Sequence, residues 1–254
     1  MATLGTTLVQ TTQGTPSATS SYALSLSQTT QLGNMIVAFV YTTSDTPNAD
    51  AEQPTGVTDD AGNTYSNPYK NNPAGGDPSP SIYIWTAKNA QPATQITVTF
   101  HGPGTFQKIV VAREYVHEAV SIADIDKDTT GSTTGTKTVS ANALANPDAI
   151  LLALAAVWSA TASPSWTNTG TFGNFLSITV NDPAASGVSL CWAIADQYIY
   201  NSTGATPTLQ MDVAGSSPQW KLSIAVVTLE GGRKVVGDGM VGLGDGGSTG
   251  NIFG

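Results

Sequence analysis

Between residues 95 and 101 apolar and polar side chains alternate. Ile96, Val98 and Phe100 fall on one side, Gln95, Thr97, Thr99 and His101 on the other. A period of two marks a half-buried β-strand. The alternation returns at 208–213, with Leu209, Met211 and Val213 inward. Four other segments, 35–41, 107–112, 149–158 and 222–229, are almost continuously apolar, which predicts central strands covered on both faces. Further strands are expected near 4–11, 20–27, 81–87, 136–141, 175–180 and 188–195. The stretch 149–158 is rich in Ala and Leu, which favour helix. It is read as a strand because its repeat partner, 35–41, holds Ile, Val, Phe, Val and Tyr, which favour strand.

That repetition runs through the chain. Residues 34–41 return in outline as 149–158, 81–87 as 189–193, 95–100 as 208–213, and 108–112 as 221–225. The last two pairs are offset by 113 positions, whereas Trp85 and Trp192 are offset by 107; loop insertions are expected to absorb the difference. The pattern predicts an all-β, antiparallel, jelly-roll-like β-sandwich built from two repeated halves, 1–124 and 125–231. The stretch 119–127 reads as the short connection between them. Turn residues cluster at 59–63, 71–78 and 102–104, and 42–56 reads as a long exposed loop. Residues 232–254 form a Gly-rich extended C-terminal arm with apolar points at Met240, Leu243, Ile252 and Phe253. An arm of that kind orders only against something else, so it is expected to lie on a neighbouring subunit as an assembly element.

Only 11% of the 254 residues are charged, and the net charge is −9 with a pI near 4.3. The surface must therefore be covered by Ser, Thr, Asn, Gln and Gly. Such a surface suits an extracellular or virion protein, and the lack of a Lys/Arg patch argues against a nucleic-acid partner. Cys191 is the only cysteine, so an internal disulfide and a cysteine-based zinc site are excluded, and a buried, inert thiol is expected. The start has no basic or apolar leader character, and no stretch approaches a membrane helix. These features predict a phage product made in the host cytoplasm and carried on the virion surface. The alternative is an extracellular or cell-surface protein exported by another route.

Two stretches carry a resemblance. The first is Gly56-Val57-Thr58-Asp59-Asp60-Ala61-Gly62-Asn63-Thr64-Tyr65, and the second Ile82-Tyr83-Ile84-Trp85-Thr86-Ala87-Lys88-Asn89; Glu114-Tyr115 follows at a strand end. Over roughly residues 5–230 the chain resembles the β-sandwich, jelly-roll-like modules of bacterial surface proteins and phage structural proteins, with their V-T-D-x-x-G-N-T-Y turn and W-x-A-x-N strand. The E-Y-S-G strand end of those modules is half matched, since Val116-His117 follows. The resemblance implies a structural role and brings no shared catalytic site.

Candidate chemistry is sparse. His101 and His117 lack a Ser or Cys nucleophile in a recognisable elbow. Glu114 and Glu118 could form a glycosidase pair, but pairing of Glu114 with Arg113 or a surface lysine is the plainer reading. Asp59, Asp60 and Asn63 offer oxygen ligands at a spacing that could hold Ca²⁺; the competing reading is a turn in which Asp caps its own backbone and Gly62 takes positive φ. No other cofactor is expected. Among the tryptophans, Trp166 in a loop-like Ser-Pro-Ser-Trp-Thr context is the candidate for stacking on a glycan, with packing over the sandwich edge as the competing reading. No nucleophile, base and orienter come together, so a non-enzymatic virion protein is expected. It would contact other virion proteins or copies of itself, and a carbohydrate-binding or adhesin module is the alternative.

Overall fold

A computed structural model of the chain describes residues 8–14, 17–44, 53–71, 79–103, 108–116, 119–127, 135–140, 142–143, 149–159, 166–170, 175–182, 188–199, 204, 206, 208–213 and 219–230. Among them there is no helix, and the strands are β1 (Leu8–Gln13), β2 (Ser21–Ser25), β3 (Met35–Ser44), β4 (Pro54–Asp59), β5 (Tyr65–Asn71), β6 (Ser79–Ala87), β7 (Gln95–Phe100), β8 (Ile109–Tyr115), β9 (Ala119–Lys127), β10 (Gly135–Ser140), β11 (Ala149–Ser159), β12 (Trp166–Gly170), β13 (Phe175–Asp182), β14 (Val188–Ile199), β15 (Thr208–Val213) and β16 (Gln219–Glu230). The fold is all-β and antiparallel throughout.

The repeat is written in the pairing. The first eight strands form a five-stranded sheet, β1-β8-β3-β6-β5, and a three-stranded sheet, β2-β7-β4. The last eight form β9-β16-β11-β14-β13 and β10-β15-β12. Adding eight to each strand number converts one unit into the other.

Both phases of the apolar strands are used. In the first unit Ile36, Ala38, Val40, Tyr83, Trp85, Val110 and Ala112 pack against Tyr22, Leu24, Ile96, Val98 and Phe100 of the three-stranded sheet. The intervening residues Met35, Val37, Phe39, Tyr41, Ile82, Ile84, Ile109 and Val111 are fully buried too, on the opposite face of the same pleated strands. That face meets the second unit: β6 runs close to β11 and β16, and β3 to β14. The five-stranded sheets thus stack on each other, with a three-stranded sheet outside each. Burial is worth about 1.5–3 kcal/mol per large apolar side chain, so this face contributes more than about 10 kcal/mol. Leu152 and the four consecutive residues Leu154, Ala155, Ala156 and Val157 of β11 are likewise buried. Strand, not helix, is thus the state of the Ala/Leu-rich segment.

Two sequence expectations need correction. Residues 119–127 are not a connection but strand β9, paired with β16, so a division at 124 cuts a strand. Val120 and Ile122 keep a period of two that then skips to Ile125. The ladder explains the skip: Val227 faces Ile122 while Val226 faces Asp124, leaving Ala123 as a bulge. The two tryptophans are also not ladder equivalents. Trp85 lies on the row Trp85–Ala38–Ala112, and Trp192 on the row Trp192–Ala156–Lys221. If Lys221 matches Lys108, Trp192 sits four rungs from the Trp85 position, an even number that keeps it on the same face.

Candidate functional site

The β4–β5 turn holds the densest polar cluster that the sequence singled out. Asp59 ends β4, and its Oδ1 accepts from the N–H groups of Ala61 (3.1 Å) and Asn63 (3.0 Å). Its Oδ2 accepts from Asn63 Nδ2 (2.8 Å) and from the Tyr65 hydroxyl (2.9 Å). Gly62 takes a φ of +74°, which lets the chain reverse without a Cβ penalty. Asn63 then reaches across to the β6–β7 loop: its Nδ2 donates to the Gln91 carbonyl (2.9 Å) and its Oδ1 accepts from the Gln91 N–H (2.6 Å). That loop is itself turned by Asn89 at a φ of 45°, a conformation asparagine tolerates. Asp60 braces the far side of the same loop, accepting from Thr94 N (2.9 Å), Gln95 N (3.2 Å) and the Thr94 hydroxyl.

Asp59, Asp60, Gly62, Asn63 and Tyr65 therefore each have a mechanical task. The carboxylates of Asp59 and Asp60 face different sets of donors, and a cation at Asp59, Asp60 and Asn63 would have to displace them. Hydrogen bonds from Thr94 hold the Asp60 carboxyl below its ordinary pKa. Burial, reinforced by the neighbouring Asp59 charge, pushes the Tyr65 hydroxyl far above its ordinary range.

Glu114 is buried, at 1% exposure, and among the described residues its carboxylate is held by amide N–H groups rather than by Arg113 or a lysine. Its Oε1 accepts from Gln31 N (2.7 Å) and Asn34 Nδ2 (2.6 Å), and its Oε2 from Gln10 Nε2 (2.6 Å). Gln10 in turn holds the loop after β2, since its Oε1 accepts from Ser27 Oγ (2.7 Å) and Gln28 N (3.2 Å) and its Nε2 donates to the Gln28 carbonyl (3.0 Å). The carboxylate thus pins residues 27–34 to β1 and β8. Arg113, the preceding residue, lies on the opposite face near Tyr41, whose hydroxyl is raised well above its ordinary range by burial.

Another buried charge escaped the sequence reading. Lys108 is 0% exposed; its Nζ donates to the carbonyls of Thr19 (3.1 Å) and Gly102 (3.2 Å) and lies 4.6 Å from the Phe100 ring centroid. The signal was its place at the head of an apolar strand run.

Open space lies elsewhere, in a polar groove of about 340 Å³ along β2, lined by Gly14, Ser17, Thr19 and residues 21–25. Gly14 is needed there, because the Tyr22 ring fills the place of any Cβ.

The remaining candidates do not converge on either place. His101 is exposed just after β7, and its N–H donates to the Gln53 carbonyl (3.1 Å). His117 and Glu118 lie outside the described residues, as do Met240, Leu243, Ile252, Phe253 and the rest of the arm. Trp166 opens strand β12 opposite Val213 rather than sitting in a loop. Cys191 is in β14, paired on both sides with Val157 and Thr179. No family model, curated protein or solved structure matches the chain.

Proposed function

We propose that this chain is a non-enzymatic structural protein of a bacteriophage virion, displayed on the capsid or tail surface as a decoration or fibre-like component. The observation that carries the reading is the use made of its chemistry-bearing side chains. Asp59, Asp60, Asn63, Glu114 and Lys108 each tie a loop to a strand or to another loop, which is what a scaffold under mechanical load requires. Two further features support it: a surface with few charges, and units of eight strands divided between two sheets. The latter favours the jelly-roll form shared by viral capsid and lectin domains.

The test is immunogold electron microscopy of banded particles, with an antibody against the purified chain. Regular labelling of the particle surface is expected; protein left wholly in the soluble fraction would overturn the assignment. Within this reading the arm with Met240, Leu243, Ile252 and Phe253 is the assembly element. Deleting residues 237–254 should leave the melting temperature unchanged and reduce incorporation into particles.

A second reading, a carbohydrate-binding or adhesin module, is favoured by the hydroxyl-lined groove beside β2. A glycan array, with Thr19→Lys to obstruct the groove and Trp166→Ala for the tryptophan candidate, separates the two: specific binding lost in either variant supports the module.

A further inference from the structure

The groove beside β2 is bounded by an open sheet edge. Among the described residues β2 pairs only with β7. Phe100 N–H donates to the Ser20 carbonyl and Leu26 N–H to the Thr94 carbonyl. In an antiparallel ladder such bonded positions recur every second residue. The backbone groups of Tyr22 and Leu24 therefore face β7, while those of Ser21, Ala23 and Ser25 face away from it. Thr19 Oγ1 donates to the Ser21 carbonyl (2.6 Å), which keeps a second lone pair. The side chains of Ser21, Ala23 and Ser25 are exposed, small and uncharged.

Proteins ordinarily blunt such edges with charge, proline or bulges. The other edges of this unit follow that rule. β1 has an irregular register at Leu8/Gln10. β4 has Pro54, a register shift before Gly56, and Asp59; β5 has a shift between Ser66 and Tyr69, together with Pro68 and Lys70. β2 has none of these, and no charged residue precedes Asp45 in the chain. The second unit supplies an internal comparison. Tyr22 pairs with Val98 and Lys137 with Met211, and Val98 and Met211 match in the repeat. Lys137 therefore stands at the ladder position of Tyr22, so β10 carries a charge where β2 carries none.

We infer that the β2 edge is a self-association site, where β2 of a second copy of this chain pairs antiparallel with it, centred on Ala23. The order Ser21-Tyr22-Ala23-Leu24-Ser25 selects this occupant, because it is nearly the same read in either direction. Self-pairing sets Ala23 against Ala23 and Ser21 against Ser25, with the outward backbone groups in register for N–H···O bonds at all three rungs. It joins two three-stranded sheets into one of six strands. For chains of net charge −9, this uncharged strip is also where two copies approach with the least repulsion. Five residues per copy fall well short of the roughly 1,000 Å² of a stable interface. The contact is therefore weak and concentration-dependent in free solution, and it gains strength only where copies are held side by side. The inference is independent of the virion reading.

Sedimentation velocity of the full chain from micromolar to millimolar concentration tests it. The parent should show a reversible monomer–dimer equilibrium. Ala23→Lys sets two ammonium groups against each other and should weaken association by about tenfold or more; Thr138→Lys on β10 should change nothing. Register is tested by two double variants of equal bulk. Ser21→Lys/Ser25→Glu places opposite charges across both outer rungs and should retain dimers at low salt, whereas Ser21→Lys/Ser25→Lys should abolish them. All four variants change exposed positions, and their thermal melts verify folding. A parent that stays monomeric at millimolar concentration would overturn the inference. So would dimers that survive Ala23→Lys, or dimers that vanish only when residues 237–254 are deleted, which would assign the contact to the arm.

Discussion

Replacing Glu114 by Gln changes one oxygen for an amide and should be costly for a reason visible in the bonding. All three partners of the carboxylate are N–H donors. Whichever way the new amide is placed, its NH₂ group meets a donor. Gln10 cannot relieve the conflict by rotating its own amide, because its Oε1 is engaged by Ser27 and Gln28 and its Nε2 by the Gln28 carbonyl. The variant loses one charge-assisted bond, worth about 1.5–3 kcal/mol, and leaves a buried donor unsatisfied at about 1–3 kcal/mol. With partial relaxation, a net loss of about 2–4 kcal/mol is expected. At roughly 2–4 °C per kcal/mol for a chain of this size, the melting temperature should fall by about 5–15 °C. Glu114→Ala should be worse, since three donors lose their acceptor. Urea unfolding of parent and variants, followed by tryptophan fluorescence, gives the comparison. A Glu114→Gln protein within about 0.5 kcal/mol of the parent would refute the argument that this carboxylate is a fixed acceptor node.

The turn at Gly62 and the bracing at Asp60 give two more tests. An added Cβ at Gly62 meets nothing within 4 Å, so Gly62→Ala should cost only the left-handed backbone penalty of about 1–2 kcal/mol, and Gly62→Asn less; urea midpoints check the order. The Asp60 pKa is lowered in the folded state, so its contribution is present above the unfolded value and is lost as pH falls through the folded value. The stability gap between the parent and Asp60→Asn should therefore be full at pH 6 and shrink toward pH 3, a trend that urea titrations at both pH values read directly.

The fold was legible wherever burial imposed a clean period. Alternation found β7 and β15, and continuous apolar runs found β3, β8, β11 and β16, because these strands are covered on both faces. The signal failed where geometry broke the period. The Ala123 bulge hid β9; Pro54 and its register shift put the start of β4 into the stretch read as loop, and Pro68 with its shift left β5 without a strand signal. The turn at Asp59–Asn63 was legible as a capped turn, since Asp, Gly and Asn each have a local conformational preference. The partnership of Asn63 with Gln91 was not, nor that of Glu114 with Gln10, Gln31 and Asn34. Those contacts span 28 and 80 or more positions, and nothing in local chemistry announces them. Lys108 was missed for the same reason: its acceptors are backbone carbonyls, which every residue carries.

The stacking of the two five-stranded sheets makes each unit depend on the other for its cover. A polypeptide carrying one unit alone would leave Met35, Val37, Phe39, Tyr41 and their neighbours open to water, a sticky surface that only another molecule of the same kind could cover. In this chain the second unit supplies that cover and is joined to the first through the backbone, so their meeting place is an interior and their pairing does not depend on concentration. The outer edges carry no such shared constraint, and they differ: exposed Ala23 of β2 and exposed Thr138 of β10 stand at matching ladder positions.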